Sequence, residues 1–144
     1  MNIKQQKVFS TEFRVRQYEC DSSGGVVHAV YLNYMDEARH HVLTELDFPF
    51  QELKKQKLGF FVLRVDVDCQ NSLMRGDEFI VETVIKRITK LRLQFEQKIY
   101  RLPERTLMVT AINICTTVNA ENKPVMPEIF AALLTDYPIQ KNRV

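Results

Sequence analysis

From Phe60 to Val118 the chain alternates apolar and polar residues in four successive runs, and no proline falls between Pro49 and Pro103. A period of two sends neighbouring side chains to opposite faces, so each run reads as a strand with one face on a core. A proline inside a central strand would remove a ladder donor, and its absence here fits uninterrupted strands. The run Leu91 to Leu102 is the strictest: Leu91, Leu93, Phe95, Gln97 and Ile99 share one parity, against Arg92, Gln94, Glu96, Lys98 and Tyr100. In the run Phe60 to Gln70, the shared parity is Phe61, Leu63, Val65, Val67 and Cys69, against Arg64, Asp66, Asp68 and Gln70. Phe79 to Ile88 and Thr106 to Val118 complete the set, with turns at Arg75-Gly76-Asp77, Thr89-Lys90 and Pro103-Glu104-Arg105. Turns this short join antiparallel neighbours.

Ahead of these runs, residues 8–18 form a fifth strand, with Phe9, Phe13 and Val15 on its apolar side. From Tyr31 the period lengthens. Tyr31, Tyr34, Met35, Ala38, Val42 and Leu46 recur at steps of three and four, the stripe of an amphipathic helix of about four turns. Pro49 suits the first turn of a short second helix that runs to about Lys57 and ends at Gly59. A last short helix spans Pro127 to Leu134, after a loop from Asn119 to Pro124, and the tail beyond Tyr137 is expected to fray. Five antiparallel strands and one long amphipathic helix make an α+β domain in which the sheet wraps the helix. The 144 residues suit a single domain with its core in about residues 8–134.

The formal net charge of +2 is too small for a nucleic-acid footprint. Cys20, Cys69 and Cys115 lack C-x-x-C spacing and point to neither a disulfide framework nor a zinc knuckle. The start Met1-Asn-Ile-Lys-Gln-Gln-Lys has no apolar core of a secretory leader. The longest helical apolar run, Ile129 to Leu134, falls far short of the roughly 20 residues that span a bilayer. The expectation is a soluble, cytoplasmic protein with no nucleic-acid or membrane partner. His40 and His41 are adjacent on a helix and point about 100° apart, so they do not converge on one ion, and no metal is expected. Glu37 lies one turn before His41, placed for a surface pairing.

The stretch Tyr18 to Arg39 carries the candidate chemistry. One carboxylate, Asp21, follows the first strand, and two of the chain's four glycines, Gly24 and Gly25, sit together in the turn before the long helix. Both glycines suit positive φ and close backbone approach. Val27, His28, Ala29 and Val30 offer no N-cap side chain, so the first helical amides lack an intrahelical partner and stand free for a ligand. A carboxylate beside free amides can serve a polarised carbonyl. The plainer reading is that Asp21 caps the turn or the helix.

This stretch resembles the 4-hydroxybenzoyl-CoA thioesterase family, hotdog-fold acyl-CoA thioesterases whose members carry R-V-x-Y-x-D-T-D-x-x-G-x-V-x-H-x-x-Y followed by Y-x-E-x-A-R. Here the pattern reads Arg14-Val-Arg-Gln-Tyr-Glu-Cys-Asp21, then Gly24, Val26, His28, Tyr31 and Tyr34-Met-Asp-Glu-Ala-Arg39. Arg75-Gly-Asp-Glu-Phe-Ile-Val-Glu-Thr83 is similar to the family's G-D-x-x-x-V-x-T strand entry, and Phe95-Glu-Gln-Lys-Ile-Tyr-Arg101 to the strand that follows. The likeness runs from about Phe9 to Leu134, with departures that include Glu19 for the first Asp, Val30 for a frequent Asn, and Asp36 for the helix Glu.

The resemblance implies a hotdog fold, a five-stranded antiparallel sheet wrapped around a long central helix. It implies hydrolysis of an acyl-CoA thioester to free acid and CoA with no cofactor. Asp21 would be the catalytic acid, as nucleophile or general base, and the His28 main-chain amide would polarise the carbonyl. Gly24, Val30 and Tyr31 are then expected at the substrate. The His28 side chain suits an orienting or a packing role, and Tyr31, Tyr34 and Met35 suit either an acyl tunnel or the core. Lys86, Arg87, Lys90 and Arg92 surround one tight turn, where they suit either the phosphates of CoA or a solvated, edge-protecting turn. The resemblance further implies a homodimer whose sheets join, often paired again as a tetramer, with sites built from both subunits. Two other classes remain at this point: a non-catalytic acyl-CoA or acyl-carrier-protein binding module, and a hotdog hydratase or dehydratase, whose His-centred motifs the chain does not match. No residue pattern selects the acyl group.

Overall fold

The computed structural model describes residues 7–133; the expected fraying beyond Tyr137 lies outside them. The elements in chain order are β1 (Phe9–Arg14), a 3-10 turn (Gln17–Glu19), α1 (His28–Glu45), α2 (Phe50–Lys55), β2 (Gly59–Cys69), β3 (Glu78–Arg87), β4 (Leu93–Arg101), β5 (Thr106–Val118), β6 (Pro124–Val125) and α3 (Glu128–Leu133). The sheet is antiparallel throughout, in the order β1-β3-β4-β5-β2, with the two-residue β6 beside β5. This is the expected α+β hotdog architecture, one antiparallel sheet around one long helix. The first strand is shorter than its alternation suggested. Past Arg14 the Glu19 carboxylate accepts the Arg16 amide at 2.7 Å, which winds the segment into the 3-10 turn.

Helix α1 buries Tyr31, Tyr34, Met35, Ala38, Val42 and Leu43 against the concave face of the sheet. One end of the core joins Tyr31, Tyr34 and Ala38 to Phe79, Val81, Ile99 and Val109. The other joins Val42 and Leu43 to Phe9, Ile85, Leu93, Phe95 and Cys115. The strict alternation of β4 decides what faces inward: Leu93, Phe95, Gln97 and Ile99 are all buried.

One amide therefore lies in the middle of this core, and its hydrogen bonding is complete. Gln97 Oε1 accepts from Arg39 Nη1 at 3.0 Å and from Asn113 Nδ2 at 2.9 Å. Its Nε2 donates to the Met35 carbonyl of α1 at 3.0 Å and to Thr83 Oγ1 at 3.1 Å. The network joins α1 to β3, β4 and β5, so it fixes the helix against the sheet along the helix axis. Buried polar groups in such a network are stabilising only while each has its partner.

Strand β2 departs from the sequence reading in two ways. Its pairing with β5 slips between Val62 and Arg64, leaving Leu63 as an extra residue. A bulge of this kind exchanges faces, so Val62 aligns with inward-facing Cys115 while Val65 and Val67 align with Asn113 and Ala111. The single parity Phe61-Leu63-Val65-Val67-Cys69 is thus broken. β2 also lies at the sheet edge rather than beside β3, because residues 70–77 carry the chain across to the other side. Phe61, Val62, Leu63 and Val65 are 52, 39, 41 and 43% exposed there. Among the described residues, no helix is long and apolar enough to cross a membrane.

Candidate active site

The chain leaves the 3-10 turn into a narrow loop, residues 20–26, closed at its base by a bridge between Cys20 and Val26. Within it, Asp21 N donates to the Gly25 carbonyl at 2.9 Å and Gly24 N to the Asp21 carbonyl at 3.1 Å. Gly24 sits at φ +89°, the left-handed region expected of it. Gly25 does not: it pairs with Met74 in an isolated bridge, with a φ that is not positive. The expectation of two positive-φ glycines is corrected to one.

The Asp21 side chain is organised asymmetrically. Its Oδ1 accepts the Ser23 hydroxyl at 2.6 Å, the Ser23 amide at 2.9 Å and the Gly25 amide at 3.3 Å. Oδ2 has no partner among the described residues. One oxygen thus performs the turn-capping role that the plainer reading assigned to Asp21, and the other stays available. The carboxyl is held below its ordinary range, chiefly by the Ser23 hydroxyl and then by the Ser23 amide; desolvation opposes them, and the Gly25 and Gly24 amides add smaller help. It is therefore ionised throughout the neutral range, although the residue is solvent-exposed in the single chain.

Helix α1 begins right after this loop. Val27 is its N-cap and makes no side-chain cap bond. The Val30 amide is satisfied by the Val27 carbonyl at 2.9 Å, which leaves the amides of His28 and Ala29 with no intrahelical partner. The Val27 amide itself donates to the Glu19 carbonyl at 3.0 Å, so the helix start is tied to the residue two before Asp21. The loop of Asp21 thus runs directly into the uncapped helix end. His28 is exposed at that end, and Val30 is half-buried.

Tyr31 is in the core rather than open to a ligand. It is 2% exposed, and its hydroxyl accepts the Leu73 amide at 2.9 Å. Tyr34, one turn on, donates its hydroxyl to Glu19 Oε1 at 3.0 Å. Burial, reinforced by the Glu19 carboxylate, raises the Tyr34 hydroxyl far above its ordinary range, so it remains a donor.

The basic turn is not brought to Asp21 within one chain. Arg14, which leads into the site, pairs with Glu78 at the start of β3, whereas the basic turn follows Arg87 at its end. A strand of that length separates them by about 30 Å. Two of the four cations are also committed: Lys86 Nζ lies 2.8 Å from Glu96 Oε1, and Arg87 Nη2 donates to the Lys90 carbonyl at 3.3 Å. Lys90 and Arg92 are exposed. Neither helix histidine joins a metal cluster: His40 stacks on Phe50 with ring centroids 4.8 Å apart, and His41 Nε2 lies 3.8 Å from Glu37. Among the described residues, no three or more His, Cys, Asp or Glu side chains converge where an ion could sit.

An apolar groove of about 500 Å³ runs beside α1, walled by Leu43, Phe60, Val62, Phe95 and Cys115, with Arg39 and His40 at its helix side. Ser23, Glu19 and Leu73 emerge as site residues that the sequence reading had not assigned. An Asp followed two positions later by Ser is a turn signature that points to Ser23. Leu73 has no sequence signal, because it reaches the loop only through space.

The chain matches the model of the thioesterase-like superfamily over residues 15–134. Among curated relatives, acyl-acyl carrier protein thioesterase ATL3 of Arabidopsis thaliana is 28% identical over 79% of this chain and 60% of its own length. The chain therefore spans about 60% of that plant relative. Acyl-CoA thioesterase YbgC of Haemophilus influenzae is 32% identical over 74% of this chain and 76% of the relative. A solved structure of Slr0204, a 1,4-dihydroxy-2-naphthoyl-CoA thioesterase from Synechocystis, superposes with a TM-score of 0.82 over 92% of this chain and 100% of its own, at 18% identity, a likeness of fold.

Proposed function

Since the chain belongs to the thioesterase-like superfamily, among its 4-hydroxybenzoyl-CoA thioesterase-like hotdog proteins, we propose that it hydrolyses an acyl thioester of CoA or of an acyl carrier protein to the free acid and the thiol. The observation that supports this most is Asp21: one oxygen bound by three donors, the other without a partner among the described residues, in a loop tied to a helix end whose amides are uncapped. Oδ2 either attacks the thioester carbonyl or takes a proton from the water that does. The carbonyl oxygen gains negative charge and is met by the His28 amide; one such donor typically lowers a barrier by about 3–4 kcal/mol. Collapse expels the thiolate, which takes up a proton. In the nucleophilic route water then cleaves the mixed anhydride and restores Asp21. No atom changes oxidation state, so the reading calls for no redox cofactor. The apolar groove beside α1 suits the acyl chain, because its Asp36 edge lies about 12 Å along the helix from His28.

A second copy completes the reading. Asp21 is exposed in one chain, while a thioester is best cleaved away from bulk water. The free edge of β2, with four large apolar side chains exposed, is the face on which a like strand can add. When two such edges meet antiparallel, the ends of the two sheets are exchanged. The basic turn of the second copy, with its exposed Lys90 and Arg92, then lies at the same end as this chain's Asp21. Val65→Lys, which places a charge at the centre of that edge, is expected to convert an oligomer to a 16.9 kDa monomer and to abolish turnover, as measured by light scattering and thiol release. A wild-type chain that is monomeric while fully active would remove the second copy from the proposal.

The reading as a whole is tested by following free-thiol release across a panel of aromatic, short, medium and branched acyl-CoAs and acyl-carrier-protein thioesters. Turnover of at least one class is expected. Tight binding without release from any would instead identify a non-catalytic binding module.

A further inference from the structure

We infer that Tyr31 and Tyr34 are positioning residues whose hydroxyls clamp the two ends of the Asp21 loop to the helix that supplies the polarising amides; this rests on the catalytic reading of Asp21 above. At the leading end, Glu19 Oε1 accepts both the Arg16 amide and the Tyr34 hydroxyl, at 2.7 and 3.0 Å. At the trailing end, Val26 N donates to the Leu73 carbonyl at 3.0 Å, and Leu73 N donates to the Tyr31 hydroxyl at 2.9 Å. Residues three apart share one face of a helix, so a single turn of α1 grips both ends of the loop.

The rings are fixed struts. Tyr34 packs 4.7 Å from Phe79 and 5.8 Å from Phe13, and the two tyrosine rings meet edge-on at 6.2 Å. Both residues are buried, at 2 and 3% exposure. Phenylalanine would fill the same volume without placing a polar group in the core, where an unbonded hydroxyl is costly. What the hydroxyls add is their bonds, and both bonds lead to the loop. They hold Asp21 Oδ2 at a set distance from the amides of His28 and Ala29, and misplacement by about 1 Å can cost roughly a hundredfold in rate. Glu19, which stands where the resembling family has Asp, is thus the anchor of the leading end.

The test uses Tyr34→Phe, Tyr31→Phe, Glu19→Ala and Glu19→Gln in the full chain. Each Phe variant is expected to lose roughly tenfold in kcat, with KM within about twofold of wild type. A loosened loop weakens the Ser23 and Gly25 bonds that keep the Asp21 carboxyl acidic, so the acid limb of kcat/KM should move upward in pH. NMR titration of the Asp21 carboxyl without substrate should show the same upward shift. Glu19→Ala should behave as Tyr34→Phe, while Glu19→Gln, which keeps an acceptor oxygen, should recover most of the rate. Wild-type kcat and an unmoved Asp21 titration in both Phe variants would overturn the clamp, as would equal losses in the two Glu19 variants. If the wild-type protein releases no thiol from any substrate, the catalytic reading fails, and the NMR titration still decides the clamp.

Discussion

Asp21→Asn is expected to lower thiol release by a factor of roughly 10²–10⁴ while leaving the melting temperature within a degree or so of wild type. The substitution separates the two duties of the residue. Asn retains an Oδ1 that can accept from Ser23 Oγ, Ser23 N and Gly25 N, the three bonds that shape the loop. It replaces Oδ2, the unpartnered oxygen, by an amide nitrogen that neither attacks a carbonyl nor removes a proton from water. A fall in kcat with unchanged stability therefore assigns chemistry to Oδ2 alone. Undiminished turnover would return Asp21 to the turn-capping role its Oδ1 already fills and remove it from the reaction.

Gln97→Ala is expected to destabilise the fold by about 3–5 kcal/mol, read as a drop of ~10–15 °C in melting temperature. Four hydrogen bonds end on this one amide. Its removal strands the buried Arg39 guanidinium, the Asn113 amide and the Thr83 hydroxyl together, and a group left buried without a partner costs more than its bond contributed. Among the described residues Arg39 then keeps Asp36 alone, at 3.3 Å and largely solvent-exposed. The cavity left by the side chain adds to the loss. A change below about 1 kcal/mol would show that water or a shift of α1 replaces Gln97.

The sheet was legible because period-two alternation is a direct consequence of which face is buried, and the same logic puts Gln97 on the apolar parity of β4. The uncapped helix start was legible for a similar reason: Val27 to Val30 include none of the Ser, Thr, Asp or Asn side chains that cap a helix. What remained hidden depends on through-space relations. The extra residue at Leu63 leaves β2 as apolar as before, so nothing in composition signals the exchange of faces. The crossing of residues 70–77 that sends β2 to the edge leaves no periodic trace. Lys86, Arg87, Lys90 and Arg92 read as one cluster in sequence, yet Glu96, six residues beyond Lys90, captures Lys86 across the hairpin. Glu19 looked like a mere departure from a motif, since its partner Tyr34 lies 15 residues away.

The open edge also holds a charge pattern that bears on the proposed pairing with a second copy. On a two-fold axis a residue meets its own copy. With Val65 on that axis, Arg64 of each chain stands opposite Asp66 of the other, the two charge types that already lie 3.8 Å apart within one chain. Moving the axis by one residue sets Arg64 against Arg64 or Asp66 against Asp66, and like charges directly opposite are unfavourable. Slipping one strand by a single residue turns the partner's core face to the wrong side of the sheet. A three-residue charge pattern can thus favour self-recognition in one alignment and disfavour pairing with a related chain whose edge is spelled differently.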